Sequence, residues 1–181
     1  MKHLGSMILE TDRLILRKLK IEDAQEIFNN WTSDSEVAKY VRWSTHKSIE
    51  ETKQWLAEEE KNYKDIGYYT WGLELKETRE LIGCMSALYR EEEDRYEIGY
   101  NLAKKYWNQK YTTEALKKVM TFLMDEVGIK KFKCVHAKLN PASGKVMQKV
   151  VFKYIKDGYF ESYDKTKRYD SKIYYLDIFK E

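Results

Sequence analysis

The sequence contains few of the residues that break or cross-link a chain. Its 181 residues include one proline, eight glycines and two cysteines. So little proline and glycine excludes collagen-like and low-complexity disordered chains. Two cysteines are too few for a disulfide scaffold, so we predict that Cys84 and Cys134 are free thiols. No apolar run approaches the roughly 18–20 residues of a membrane span, and the three histidines lack metal-ligand spacing.

Enough apolar sequence is present for one ordered domain. Hydrophobic residues make up 43% of the chain and charged residues 35%. A chain of this length buries most of its unfolded surface in a single core. We expect residues 7–181 to form one domain and residues 1–6 to be a tag or cloning remnant, because Gly5-Ser6 precedes a second methionine. The first residues lack the apolar region of a signal peptide, which predicts a cytoplasmic protein.

The charge is unevenly distributed along the chain. The net charge is +3, yet residues 104–149 hold 11 Lys or Arg and 3 Asp or Glu. Such a basic block suits a phosphate-rich ligand, and a solvated lysine face is the alternative. Nucleic acid is the weaker explanation, because the block contains no recognised nucleic-acid motif. We therefore expect no nucleic-acid partner and no membrane partner.

The hydrophobic pattern predicts a mixed α/β sheet. Apolar or alternating runs predict strands at 13–19, 68–75, 81–89, 96–102, 132–137, 154–160 and 173–179. Helical spacing predicts helices at 21–30, 48–63 and 142–149, and another that Thr112 or Thr113 caps and Gly128 ends. A hairpin meander followed by strand, helix and strand favours a mixed sheet over an all-parallel one.

One segment joins a strand to the start of a helix through a short loop. Residues 96–102 form the predicted strand, a short loop that contains residues 106–111 follows, and the loop leads into the helix. Helix N-termini present unpaired amides and a positive dipole end, so this junction is a natural anion site. An ordinary capped helix after a strand is the alternative interpretation.

Four stretches, taken together, resemble the GNAT superfamily of N-acetyltransferases, and most closely its RimJ/RimL branch, which acetylates ribosomal-protein N-termini. They are Thr11–Arg17, Glu97–Tyr100, Tyr106–Leu116 and Asn140–Phe152, in the family's order. The resemblance implies a mostly antiparallel central sheet flanked by helices and splayed between the fourth and fifth predicted strands. It also implies acetyl-CoA as co-substrate in that gap, and no metal.

The resemblance assigns roles to particular residues. The backbone of Gly99–Leu102 would pair with the pantetheine arm, amides of Gln109–Thr113 would hold the pyrophosphate, and Asn140 would hold the arm through its amide. Residues 40–43 would line the acceptor slot. The implied cofactor-binding residues are Tyr100, Asn101, Leu102, Trp107, Asn108, Gln109, Lys110, Tyr111, Thr112, Thr113, Asn140, Ser143 and Lys149.

Two residues are candidates for proton transfer. Attack on a thioester needs a neutral amine, and an α-amine with a pKa near ~7.7–8 needs less help than a lysine amine near ~10.4. Glu97 is the candidate base, directly or through water, with an exposed strand carboxylate as the alternative. Ser143, near the thioester sulfur, is the candidate donor to the leaving thiol, and helix capping is its other role. The acceptor would be a small-molecule amine or a protein N-terminus, and the protein a monomer or homodimer.

The sequence departs from the family pattern where glycine is usual. Asn108, Lys110 and Val151 occupy positions where the family has glycine, and Thr112 one where it has glycine or alanine. Residues with a side chain adopt the left-handed conformation at a cost of about 1–3 kcal/mol. This departure supports a second hypothesis, a GNAT-fold binding or regulatory domain with a degenerate cofactor loop.

Overall fold

The computed structural model describes residues 1–178, which form one eight-stranded sheet with helices on both faces. The strands are β1 (Leu9–Glu10), β2 (Leu14–Arg17), β3 (Tyr69–Leu75), β4 (Leu81–Arg90), β5 (Arg95–Leu102), β6 (Lys131–Ala137), β7 (Lys153–Glu161) and β8 (Arg168–Asp177). The helices are α1 (Ala24–Ile27), α2 (Ile49–Asn62), α3 (Tyr111–Thr121) and α4 (Pro141–Gln148).

The predicted elements are present, but one strand was missed and several ends differ: β8 begins at Arg168 and not at residue 173, and β2 covers Leu14–Arg17 where 13–19 was predicted. The sequence pattern did not reveal β1, because two residues are too few to show alternation. The last predicted strand ends at 179, and that residue lies outside the described part of the chain. Turns of 3-10 and π type lengthen α1 to residues 21–32, and a π-type turn extends α3 to Val127. Gly128 then ends this helix with a left-handed φ of 85°.

The sheet is antiparallel except at one junction. Its strand order is β1-β2-β3-β4-β5-β6-β8-β7, and only β5 and β6 run parallel. Their pairing is short: Tyr96 faces Phe132, and the last pair is Ile98 with Cys134. β5 stays paired with β4 to Leu102, while β6 stays paired with β8 to Ala137. The two strands therefore diverge, which confirms the splay expected between the fourth and fifth predicted strands.

Separate cores lie on the two faces of the sheet because successive strand residues point to opposite sides. On one face, Leu116 and Val119 of α3 pack among fully buried side chains such as Trp71. On the other face, Ile27 and Leu56 bring the first two helices onto the sheet. The helices of this second face leave space over the strands near the splay.

The N-terminal residues pack onto the domain. The Gly5 amide donates to the Ile66 carbonyl, and the Lys2 amide donates to Val127. Ser6 is 5% exposed; its hydroxyl donates to the Tyr68 carbonyl and accepts from the Thr70 amide. That residues 1–6 are a cloning remnant stays a prediction about their origin, and these contacts make them part of the packed structure.

We expect Ser6→Ala to lower the free energy of unfolding by about 1–2 kcal/mol, because the buried Thr70 amide loses its acceptor. Chemical denaturation followed by tryptophan fluorescence measures the change. Lys2→Ala is the control, since Lys2 is exposed and its described bond is made by its backbone amide. Equal stabilities of the Ser6 and Lys2 variants would contradict a structural role for this segment.

Candidate active site

A cavity of ≈ 360 Å³ opens where β5 and β6 diverge. Residues 97–101 of β5 and 134–137 of β6 line it, together with parts of α2, α4 and the segment 40–43. Residues 40–43 therefore lie in the wall of the cavity, where the resemblance places the acceptor slot.

The strand register fixes which side chains share the cavity face. Leu88 lies opposite Glu97, and Cys84 lies opposite Asn101. Ser86 lies opposite both Thr70 on β3 and Gly99 on β5, so these three form one row across the sheet. Directly opposed residues point to the same face. The cavity floor is thus built from alternate residues of three adjacent strands.

Glu97 lies in this cavity between two arginines. Its carboxylate accepts from Arg42 Nη2 at 3.3 Å and from Arg90 Nε at 3.0 Å, and its side chain is 13% exposed. Burial opposes the charge on Arg90, but the ion pair with Glu97 outweighs it and raises the pKa of the guanidinium. A carboxylate has about four lone-pair sites, so Glu97 keeps room for another donor. The sequence analysis did not identify Arg90, whose signal was only a basic residue at the end of a strand.

Tyr100 and Ser143 meet across the gap. The Tyr100 hydroxyl lies 3.0 Å from Ser143 Oγ and donates to the Ser143 carbonyl at 3.0 Å. Burial raises the pKa of the Tyr100 phenol well above its ordinary value. The close approach of α4 to β6 depends on Gly144, where an added Cβ would lie 2.6 Å from His136 Nε2. The resemblance predicts a cofactor-binding role for Tyr100, and the contact of its side chain with Ser143 is visible only in the structure.

Two asparagines also line the cavity. Asn140 is the residue before α4 and is part of the cavity lining. Asn101 donates to Cys84 Sγ at 3.1 Å, and its buried Oδ1 has no hydrogen-bond partner among residues 1–178. An unpaired buried acceptor favours a bound donor at this position.

The loop before α3 keeps a glycine-like backbone. Asn108 has φ 62° and Lys110 has φ 68°, both left-handed. Lys110 is the N-cap residue and the helix begins at Tyr111, so the expectation that Thr112 or Thr113 caps it was wrong. The left-handed turn at Lys110 places both threonines in the first helical turn, where the amides have no partner within the helix.

The remaining candidate residues lie outside the cavity lining. Trp107 Nε1 donates to the Leu102 carbonyl at 2.8 Å, which fixes the start of the loop on the end of β5. Gln109 Nε2 donates to the Lys105 carbonyl. Lys149 is exposed at the end of α4. The structure therefore divides the candidates into a cavity group and a loop group.

A bridge from the first strands holds this loop. Glu114 Oε1 accepts from the Thr11 hydroxyl and the Arg13 amide, and Glu114 Oε2 accepts from Arg13 Nε. Arg13 Nη2 donates to the Gln109 carbonyl, and the guanidinium lies 4.0 Å from the centre of the Tyr111 ring. The motif at 11–17 thus positions the loop, a role that the sequence analysis did not assign.

Other chemistries have little support in the described chain. Cys84 and Cys134 are free thiols, as predicted. No cluster of metal ligands is found among residues 1–178. Within the same residues, no helix combines the length and apolar character needed to cross a membrane.

A substitution at Val151 measures the free-energy cost of a left-handed backbone at a residue that carries a side chain. Val151 has φ 62° and is 69% exposed, and a β-branched residue is poorly suited to this conformation. We expect Val151→Gly to raise the free energy of unfolding by about 0.5–1 kcal/mol, measured by urea denaturation. Val151→Ala keeps a Cβ and should recover only part of the gain. A destabilised glycine variant would contradict the strain.

Comparisons with known proteins agree on one family. The model of the acetyltransferase (GNAT) domain matches residues 13–153. The uncharacterized N-acetyltransferase YoaA of Bacillus subtilis is 31% identical over 170 residues, which cover 92% of this chain and 94% of YoaA.

Two solved structures show the same fold. An acetyltransferase (GNAT family) from Bacillus anthracis superposes with a TM-score of 0.78 at 24% identity, over 94% of this chain and 98% of the other. RimL, a ribosomal L7/L12 α-N-protein acetyltransferase solved with coenzyme A, superposes with a TM-score of 0.82 at 18% identity, over 95% of this chain and 98% of its own. The similarity to the RimJ/RimL branch is thus confirmed at the level of the fold.

Proposed function

The chain belongs to the GNAT acetyltransferase family, and from that premise we propose that it transfers the acetyl group of acetyl-CoA to a primary amine. The acceptor is a small-molecule amine or a protein N-terminus. The observation that carries the proposal is the cavity at the divergence of β5 and β6, which contains Glu97 on one side and the Tyr100–Ser143 pair on the other.

The residues of this gap fit acetyl-CoA. Beyond Ile98 the side of β5 that faces β6 lacks a paired strand in the described chain, which leaves main-chain groups for an extended amide-bearing arm. The Asn101 Oδ1 acceptor and the Asn140 side chain lie at the same cavity. The first-turn amides of α3, with Lys110 before them, suit a pyrophosphate.

Glu97 and its arginines suit the acceptor amine. Acetyl-CoA, when bound, supplies an acetyl group activated as a thioester. The nucleophile must be a neutral amine, and a positive charge nearby lowers the pKa of an amine. Two guanidinium groups around one carboxylate leave a net positive charge at this end of the cavity. Glu97 accepts the amine proton, directly or through a water molecule.

Ser143 and Tyr100 suit the leaving thiol. The Tyr100 hydroxyl donates to the Ser143 carbonyl and lies 3.0 Å from Ser143 Oγ, so it positions the serine. The Ser143 hydroxyl gives its own proton to the leaving thiolate and regains one from solvent. Burial raises the pKa of the Tyr100 phenol and keeps its proton in place at neutral pH. A thiol with an ordinary pKa near ~8.5 needs only such a weak donor.

A cytoplasmic location, and a monomeric or homodimeric state, stay predictions.

The glycine-poor loop is expected to bind acetyl-CoA. Asn108 and Lys110 already adopt the left-handed backbone that glycine would provide. We expect calorimetric titration of acetyl-CoA to give a dissociation constant on the order of micromolar for the unchanged protein. The variant Asn108→Gly/Lys110→Gly/Val151→Gly should bind within roughly 3-fold of it, because the backbone shape is the same.

The glycine variant also loses the positive charge of Lys110. Lys117→Ala is the control for that loss, because it removes the charge of another exposed lysine further along α3. Binding by the glycine variant alone would favour the second hypothesis, a domain with a disabled cofactor loop. The comparisons do not favour that alternative, because they match an acetyltransferase domain.

We expect Glu97→Gln to lower kcat by about 10²–10⁴-fold, because the amide cannot take a proton. Steady-state thiol release with an amine panel measures kcat, and calorimetry should show unchanged acetyl-CoA binding. Glu92→Gln, in the exposed turn before β5, is the matched control. A Glu97 variant with the kcat of the unchanged protein would rule out the role as base.

A further inference from the structure

A second carboxylate lies in the same cavity, and the transfer chemistry does not use it. Glu59, near the end of α2, lines the cavity and is 6% exposed. None of the ion pairs formed by residues 1–178 includes it. Buried carboxylates are normally paired with a cation or a metal, because an isolated buried charge is costly.

The partners of Glu59 are neutral donors. The Tyr68 hydroxyl donates to Oε1 at 2.8 Å, and Trp55 Nε1 donates to the same oxygen at 3.1 Å. Burial raises the pKa of the Glu59 carboxyl, and these hydrogen bonds offset only part of that effect. The two donors orient the carboxyl group and bring no positive charge to it.

The surroundings of Glu59 suit an organic cation. Trp43 and Trp55 line the cavity, and aromatic rings attract ammonium and guanidinium groups through their faces. His46 lies beside these rings, and burial lowers its pKa, which favours the neutral imidazole. The Thr70 side chain is 3% exposed in the same wall, and its hydroxyl has no hydrogen-bond partner in the described chain.

The cavity is polarised between its two ends. Arg42 and Arg90 neutralise Glu97 near the reaction site and add positive charge there. Glu59 contacts Tyr68, the residue before β3. One row joins Thr70 of β3 to Ser86 and Gly99 across the sheet. Two strand spacings separate Thr70 from Gly99, about 10 Å. A cation is therefore favoured at the Glu59 end and disfavoured at the Glu97 end.

We propose that Glu59 binds a second cationic group of the acetyl acceptor, an ammonium or guanidinium, while the reactive amine lies near Glu97. The proposal rests on the proposed function and narrows its acceptor class to amines that carry another positive charge at a distance. Specificity follows because a monoamine leaves Glu59 buried and without a cation.

The test compares acceptors of matched length. Cadaverine and agmatine carry a second cationic group, and pentylamine carries none. We expect the unchanged protein to show a KM at least roughly 10-fold lower for cadaverine or agmatine than for pentylamine. Glu59→Gln keeps the size of the side chain and an acceptor for Tyr68 and Trp55, and should remove that preference while changing the KM for pentylamine by less than about 2-fold.

Glu58→Gln is the control, since Glu58 precedes Glu59 on the same helix, is exposed and pairs with Lys61. Thermal unfolding of the unchanged protein and of the Glu59→Gln and Glu58→Gln variants shows whether a variant has lost stability. A Glu59→Gln variant of unchanged stability that loses the preference has lost recognition and not folding. Calorimetric titration of cadaverine into the protein, without acetyl-CoA, reads the Glu59 site independently of transfer.

If cadaverine binds the unchanged protein and Glu59→Gln weakens that binding, the inference is supported. A failure of every amine to consume acetyl-CoA would count against the proposed function alone. Equal KM values for cadaverine, agmatine and pentylamine in the unchanged protein would overturn the inference and leave the transferase proposal in place. An unchanged preference in the Glu59 variant would also overturn it.

Discussion

The structure of the site depends on the short pairing between β5 and β6. Each strand keeps its other neighbour after the Ile98–Cys134 pair, so the sheet opens without losing a strand. The opening leaves one side of β5 free, creates the cavity, and lets the Tyr100 hydroxyl reach Ser143 on α4. Fold and candidate site are thus one feature, because the proposed ligand cavity is a gap in the hydrogen-bonded sheet.

Charge inside the cavity is arranged unequally between two carboxylates. Glu97 has two arginine partners, whereas the partners of Glu59 among residues 1–178 are neutral donors. In a partly buried setting such differences matter more than at the surface, because water screens them less. Under the proposed function, this arrangement favours a neutral amine at one end and a cation at the other. The proposals thus assign transfer and the choice of acceptor to a single cavity.

The loop before α3 shows how a departure from glycine is accommodated. Asn108 and Lys110 take the left-handed backbone although each carries a side chain. Such conformations persist when the surroundings fix them. Here Trp107 bonds to Leu102, and Arg13 bonds to Gln109 and Glu114, so both sides of the loop are held. Asn108 and Lys110, at positions where the family has glycine, add backbone strain to the loop and keep its left-handed conformation.

The sequence by itself determined the helices, every strand except β1, and the family, because alternation, helical spacing and four ordered motifs are local properties of the chain. It also named Glu97, Tyr100 and Ser143 as candidate site residues, and all three line the cavity. The tertiary structure alone decided that Lys110 rather than Thr112 or Thr113 caps α3, that Arg90 pairs with Glu97, and that Glu59 shares their cavity. These facts depend on backbone dihedral angles and on contacts between residues far apart in sequence, which hydrophobic periodicity does not encode.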